Sequence, residues 1–206
     1  MKKIIGINSS PRLKGQASKL LDISLKAASL QGVKTEKIDL YLYRIEPCIG
    51  CVSRDQQLCR FPCVIKDEAN KIMNKILESD GMIISTPVYW YSPPGHLKNL
   101  IDRMTALENM IEIEGRSLLE GKVVGVIAVG NDSGAYSAAS QIASILVTMG
   151  AAVPPWGIAF YARPEPADSN KSILEDAANV GRVVAKMVNM LQKIEWYDPD
   201  ILNSIF

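Results

Sequence analysis

The sequence predicts an α/β fold, a doubly wound parallel sheet of five strands with helices on both faces. Two observations predict it. Short apolar runs that suit buried strands alternate along the chain with longer segments whose apolar residues recur at helical spacing. Polar, glycine-containing or aromatic loops follow the first, third and fourth of those runs. Such alternation implies parallel pairing through helical crossovers, and right-handed crossovers give an open sheet covered on both faces.

Ile4, Ile5 and Ile7 make the first strand, and Ser18 to Leu30 carries Leu20, Leu21, Leu25, Ala28 and Leu30 on the face of a first helix. Val33 to Leu40 reads as the second strand, with Val33 and Ile38 turned inward. Tyr41 to Val64 has no period, holds Pro47, Gly50 and Pro62, and reads as a long insertion of the functional kind. Helical spacing returns over Asp67 to Glu78 with Ile72, Met73, Ile76 and Leu77, and Ser79-Asp80-Gly81 ends it. Met82 to Ser85 is a short buried strand, Thr86 to Gly95 a loop of aromatics and prolines, and His96 to Leu107 a helix with Leu97, Leu100, Ile101 and Met104 on one side. Val123 to Val129 is the most apolar strand, followed by the loop Gly130 to Gly134 and a small-residue helix, Ala135 to Met149. Ala151 to Phe160, broken by Pro154 and Pro155, supplies the last strand and its turn, and Ser169 to Ile194 the last helix. The expected organisation is one domain over 1–195, with a cysteine-rich insertion at 44–66, and a tail at 196–206.

With 48% apolar and 22% charged residues the chain has the make-up of an ordinary globular protein. Lys and Arg number 23 against 22 Asp and Glu, a net charge of +1 that offers no field to a polyanion, so a nucleic-acid partner is not expected. No apolar run reaches the length of about eighteen residues that crosses a bilayer, and the first residues run into a strand instead of a cleavable signal. A cytoplasmic protein without membrane attachment is the expectation.

The loop from Asn8 to Ser18 ends where a helix begins, and a helix start offers unpartnered N–H groups and the positive end of the peptide dipole. Ser9, Ser10 and Ser18 offer hydroxyls, Arg12 and Lys14 positive charge, and Gly15 close approach, so the loop suits a phosphate. The same residues also suit a plain turn capped by Ser18 or Gln16, and the dinucleotide and GxxxxGK[ST] fingerprints are absent. In open α/β sheets ligands bind at the carboxyl ends of the strands, beside the topological switch point. Three loops fall there: one for an anion, one with flat apolar surface (Thr86 to Gly95), and one with backbone and small polar groups (Gly130 to Gly134). A planar ring with a phosphate tail fits all three, which makes flavin mononucleotide (FMN) the candidate.

At these motifs the chain resembles the flavodoxin-like flavoprotein family that includes NAD(P)H-dependent FMN reductases, quinone reductases and iron–sulfur flavoproteins. Asn8-Ser9-Ser10-Pro11-Arg12 with Gly15, Thr86-Pro87-Val88-Tyr89-Trp90, and Leu97-Lys98-Asn99-Leu100-Ile101-Asp102-Arg103 carry the resemblance, which runs from position 2 to about 195. It implies a flavodoxin-like sheet and a flavin-dependent oxidoreductase. It also implies FMN with its phosphate on Ser10, Arg12, Gly15, Gln16, Ala17 and Ser18. Gln16 and Ala17 replace the family's Asn followed by Thr or Ser, which removes one hydroxyl but leaves the Ala17 N–H. Pro87, Val88, Tyr89 and Trp90 match the loop against the isoalloxazine ring, and Gly130, Asn131, Asp132, Ser133 and Gly134 the third flavin loop. Tyr89, Trp90 and Tyr91 also suit packing or subunit contact. For Lys98, Asp102 and Arg103 a structural ion pair and a subunit interface are the preferred reading. His96, the only histidine, is read as a solvent-facing helix-start residue, so no catalytic side chain is assigned. The family implies a homodimer or homotetramer, which agrees with the apolar aromatic tail and the Tyr89-Trp90-Tyr91 loop.

Cys48, Cys51, Cys59 and Cys63 are spaced Cys-x2-Cys-x7-Cys-x3-Cys. Four thiolates in a loop with Gly and Pro meet the ligand count for zinc or a [4Fe–4S] cluster; a redox dithiol or disulfide, and unligated cysteines in a packed loop, fit the same residues. Iron–sulfur flavoproteins carry a compact cysteine run at this place, so the resemblance favours [4Fe–4S]. Their run is Cys-x2-Cys-x2-Cys with a fourth cysteine shortly after, whereas here Arg54 holds the third position. Flavin beside a cluster converts between two-electron and one-electron partners, small molecules or small proteins, with NAD(P)H among them. The alternatives are a cluster-free NAD(P)H-dependent FMN or quinone reductase, and a non-catalytic flavin- or zinc-binding module.

Overall fold

The computed structural model describes residues 1–191, 196–198 and 200–205. Five strands form one parallel sheet in the order β2-β1-β3-β4-β5: β1 Lys3–Asn8, β2 Lys34–Asp39, β3 Gly81–Pro87, β4 Val123–Gly130 and β5 Ile158–Ala162. The helices are α1 Gln16–Ser29, α2 Ala69–Leu77, α3 Gly95–Arg103, the single turns α4 Thr105–Glu108 and α5 Ile111–Glu114, then α6 Ala135–Thr148, α7 Lys171–Met190 and the short α8 Ile201–Ile205. No helix among the described residues is long and apolar enough to cross a membrane.

The pleat explains why the central strands read as unbroken apolar runs. Alternate side chains of β1 and β3 go to opposite faces. Ile5, Ile7, Met82 and Ile84 join one core with α2, α3 and α6, while Ile4 and Ile83 join a second with α1 and α7. After β1 the chain crosses to β2 on one side, and after β2 it crosses back to β3 on the other. This reversal opens a crevice at the carboxyl ends of β1 and β3, where Asn8 pairs in register with Ser85.

Element boundaries differ from expectation for local reasons. The first helix starts at Gln16, not Ser18, because Gly15 takes the extended N-cap position. The helix expected over His96 to Leu107 tightens at Met104, whose N–H reaches both Leu100 and Ile101 carbonyls at 2.9 and 3.0 Å, and resumes as α4. Within Ala151 to Phe160, Ala152 makes only an isolated bridge to Val123. Pro154 and Pro155 contribute no N–H, and the chain turns through Trp156 at φ 59° before β5 begins. The last helix starts at Lys171, capped by Asn170, and ends at Met190; the expected continuation over 192–194 lies outside the described residues, as do 195, 199 and 206.

The tightest helix contact is α1 against α7. A Cβ on Gly181 would stand 1.9 Å from the Ser24 carbonyl oxygen, so only glycine permits the crossing. At that crossing the Ser24 hydroxyl is buried and finds no hydrogen-bond partner among the described residues. Ser24→Ala is expected to raise stability by about 1 kcal/mol, because it removes a desolvated hydroxyl and favours helix; urea unfolding measures it.

Candidate functional site

The crevice holds a cavity of about 440 Å³ lined by Ser10, Arg12, Gln16, Ala17, Pro87, Val88, Tyr89, Trp90, Gly130, Asn131, Asp132 and Ser133, with Val129 and Tyr91 in addition. Of the residues expected to bind FMN, Gly15, Ser18 and Gly134 stand behind this wall. Ser18 donates its hydroxyl to the Leu13 carbonyl at 2.6 Å and accepts from the Lys37 ammonium at 2.7 Å, so it turns away from the cavity.

The first loop is held from below by polar residues at the strand ends. Asn8 donates to the Asp39 carboxylate at 2.7 Å and accepts from the Ser10 N–H at 3.2 Å, tying β1 to β2 and starting the turn. Ser9 gives both its N–H and its hydroxyl to the Ser85 carbonyl, and the Ser85 hydroxyl goes to the Ala17 carbonyl. Gly15 closes the loop with its N–H on the Arg12 carbonyl at 2.9 Å. The first helical bond of α1 runs from Lys19 to Gly15, so the N–H groups of Gln16, Ala17 and Ser18 have no partner within the helix. Arg12 is exposed, and its guanidinium pairs with no carboxylate among the described residues. Gln16 is clasped both ways by Asp168, which also pairs with Lys19. Three open N–H groups, a free cation and the Ser10 hydroxyl make a site for a phosphate dianion.

The opposite lip is a strained turn. Tyr89 and Ser92 exchange backbone hydrogen bonds, and the residues between them, Trp90 and Tyr91, have φ of 50° and 65°. Hairpin turns of this kind normally use Asn-Gly, and a bulky residue there costs about 1–3 kcal/mol. The turn is braced by Gly134, at φ +79°, where a Cβ would come within 2.8 Å of Tyr91 Cα. Trp90 is 94% exposed at this lip.

A polar stripe on α3 holds the cysteine loop. His96 Nε2 donates to the carbonyls of Leu40 and Tyr43, both at 3.1 Å, and its ring stands 4.7 Å from that of Tyr41. It is half-buried and structural, where solvent exposure was expected. Asn99 donates to the Ile45 carbonyl, and Arg103 bonds the carbonyls of Glu46 and Ile65, at the two ends of the loop. Arg103 also grips Asp67 with both terminal nitrogens, and the two side chains are 0% and 1% exposed. The expected ion pair on this helix is present between Lys98 and Asp102, but Arg103 is buried in the chain and cannot sit at a subunit interface. Burial raises the Asp67 pKa, yet Arg103 and the N–H groups of Glu46 and Ala69 outweigh it and hold the carboxyl below the usual range.

Cys48 is exposed, Cys51 and Cys63 are half-buried, Cys59 is buried, and all four are free. Burial pushes the Cys59 thiol up to about 12, with Cys51, Cys63 and Cys48 adding to it. The Cys59 carbonyl accepts from Asn109, while Asn70 clasps Cys63 through both its N–H and its carbonyl at 2.9 Å. As placed, no three His, Cys, Asp or Glu side chains among the described residues form a group that could hold a metal ion.

Residues 2–163 match the family described as NADPH-dependent FMN reductase. The chain belongs to that family. This FMN reductase-family chain is a flavin-dependent oxidoreductase. It is 31% identical over 203 residues to an iron–sulfur flavoprotein of Methanocaldococcus jannaschii, covering 93% of this chain and 100% of the relative. An iron–sulfur flavoprotein of Archaeoglobus fulgidus is 28% identical over 204 residues, covering 97% and 86%. The fold superposes on RosB with bound 8-demethyl-8-formylriboflavin-5′-phosphate at a TM-score of 0.76, with 18% identity over 93% of this chain and 81% of that one.

Backbone strain of this kind collects at functional sites, and here it sits on the lip of the cavity. Trp90→Gly is expected to stabilise the flavin-free chain by about 1 kcal/mol, and so to raise its melting temperature, while weakening FMN binding several-fold. Calorimetry and flavin fluorescence titration measure the two effects. Asp67→Asn leaves Arg103 buried without its counter-charge and is expected to lower stability by about 3–5 kcal/mol. Because the folded pKa of Asp67 is depressed, its contribution is fully present above the ordinary value of about 3.9. It is lost only as pH falls through the depressed value. Urea unfolding of parent and variant should therefore differ undiminished at pH 5 and converge only in stronger acid.

Proposed function

We propose that this oxidoreductase is an iron–sulfur flavoprotein that binds FMN in the crevice and a [4Fe–4S] cluster on Cys48, Cys51, Cys59 and Cys63, passing electrons between them. The observation that carries it is the gathering of all four cysteines in one loop that Arg103, Asn70 and Asn109 anchor from outside it. Burial and the other cysteines disfavour a bare Cys59 thiolate, and the positive irons of a cluster would turn that cost into ligation. A four-iron cluster takes one thiolate per iron, which suits sulfurs that are not drawn to a single point. Two curated relatives carry the name iron–sulfur flavoprotein along nearly the whole chain.

The chain's own residues then have distinct tasks. Arg12, the Ser10 hydroxyl and the N–H groups of Gln16, Ala17 and Ser18 hold the phosphate, so Ser18 contributes backbone instead of a hydroxyl. Pro87, Val88, Tyr89 and Trp90 form the apolar wall for the ring, and Gly130 to Ser133 the polar one, with Gly134 bracing the turn. When bound, flavin exchanges electrons singly or in pairs and the cluster exchanges them singly. No side chain is therefore required as a nucleophile. NAD(P)H as donor, a homodimer or homotetramer, and a cytoplasmic location complete the proposal.

Two measurements test it. Anaerobically purified protein should show flavin bands on a broad shoulder that dithionite bleaches, with about four irons and four sulfides per chain, as a cluster held by four cysteine thiolates requires. Flavin without iron would replace the proposal with a cluster-free reductase, and zinc without flavin with a binding module. Arg12→Ala should weaken FMN about tenfold to a hundredfold, the worth of a charge-assisted hydrogen bond, and leave riboflavin binding unchanged.

A further inference from the structure

We infer that Arg103 is the positioning residue of the cysteine centre: it fixes the Cys63 sulfur and raises the centre's reduction potential. The inference rests on the iron–sulfur reading above. Every N–H of the guanidinium is used. Nε donates to Cys63 Sγ at 3.2 Å; one terminal nitrogen donates to the Glu46 carbonyl at 3.2 Å and Asp67 Oδ2 at 2.7 Å; the other donates to the Ile65 carbonyl at 3.2 Å and Asp67 Oδ1 at 3.1 Å. A planar fork with all five donors engaged has one orientation. It therefore presents Nε–H to the sulfur from a fixed point. Asn70 grips the Cys63 backbone through both its N–H and its carbonyl. Sulfur and backbone of this one cysteine are thus both held, by residues of two different helices.

The charge has a direction as well. Asp67 takes the end of the guanidinium away from Nε, so the cationic edge faces the sulfur and the anion lies behind it. With the Arg103 side chain 0% exposed, water screens this little. Reduction adds one electron to the centre, supplied by reduced flavin or by dithionite in a titration, and lowers the centre's charge by one. A buried cation donating to a ligand sulfur favours that more negative state, as hydrogen bonds to cluster sulfurs do in general.

The test uses the full chain, assembled anaerobically, with two variants. Arg103→Gln combined with Asp67→Asn removes both buried charges together, and Arg103→Lys keeps a cation without the fork. Iron, sulfide and FMN are counted, and the metal centre and the flavin are followed in one dithionite titration. The neutral double variant should need at least a roughly tenfold higher reducing ratio for half-reduction of the centre, about 59 mV for one electron, with the flavin midpoint unmoved. R103K should fall between it and the parent. Either variant carrying four irons at the parent's midpoint overturns the inference and leaves the iron–sulfur reading standing. Parent protein without iron overturns both. If neither variant holds iron, retained FMN and an unchanged circular dichroism spectrum support positioning of the ligand. Loss of FMN together with the iron makes Arg103 a residue of the fold and overturns the inference.

Discussion

The buried pair of Arg103 and Asp67 is the interaction on which the distinctive part of this molecule depends. A loop of roughly twenty residues has little apolar surface of its own, and closing it carries an entropy cost that its own turns do not offset. Arg103 bonds the carbonyls at the two ends, Glu46 and Ile65, and Asp67 takes the Glu46 N–H. The pair thereby closes the loop at its base. Neither charge is tolerable there alone; together, with every donor satisfied, they are. His96, Asn99 and Arg103, spaced three and four residues apart, place this polar work on one edge of α3 while Leu97, Leu100 and Ile101 face the core.

The cavity depends on a different constraint, the reversal of strand order between β1 and β3. Strands that diverge in their connections leave no loop crossing the gap between them, so the crevice is open by topology. What fills its rim is polar at one end and strained at the other. Ser9, Ser85 and Asn8 are fully buried, yet each has its partner, because they replace the ladder where the sheet stops. Trp90 and Tyr91 hold positive φ against their side chains, kept there by the Tyr89–Ser92 bonds and the close approach of Gly134.

The fold is legible in the sequence because its signals are local. Ile4 to Ile7, Met82 to Ser85 and Val123 to Val129 are apolar runs that only a doubly covered strand can bury, and the helices between them show their period openly. Pattern alone starts the last strand too early because Ala151 to Phe160 is equally apolar throughout, and only the turn at Trp156 and Gly157 decides where pairing with β4 begins. Helical spacing likewise pairs Arg103 with its own helix neighbours. Its true partner lies thirty-six positions back along the chain, beyond the reach of any such rule.

The sequence alone determined the sheet, the three loops at its carboxyl edge and the clustering of four cysteines, since each is a pattern among near neighbours. Only the tertiary structure decided which groups face the cavity. Ser18 and Gly15 occupy the expected stretch yet stand behind the wall, because a hydroxyl or a backbone turn is claimed by whichever partner is nearest in space. It likewise decided that Asn70, Asn109, His96 and Arg103 anchor the cysteine loop. Their contacts join residues brought together by packing, and hydrogen-bond partners at such separation leave no period to read.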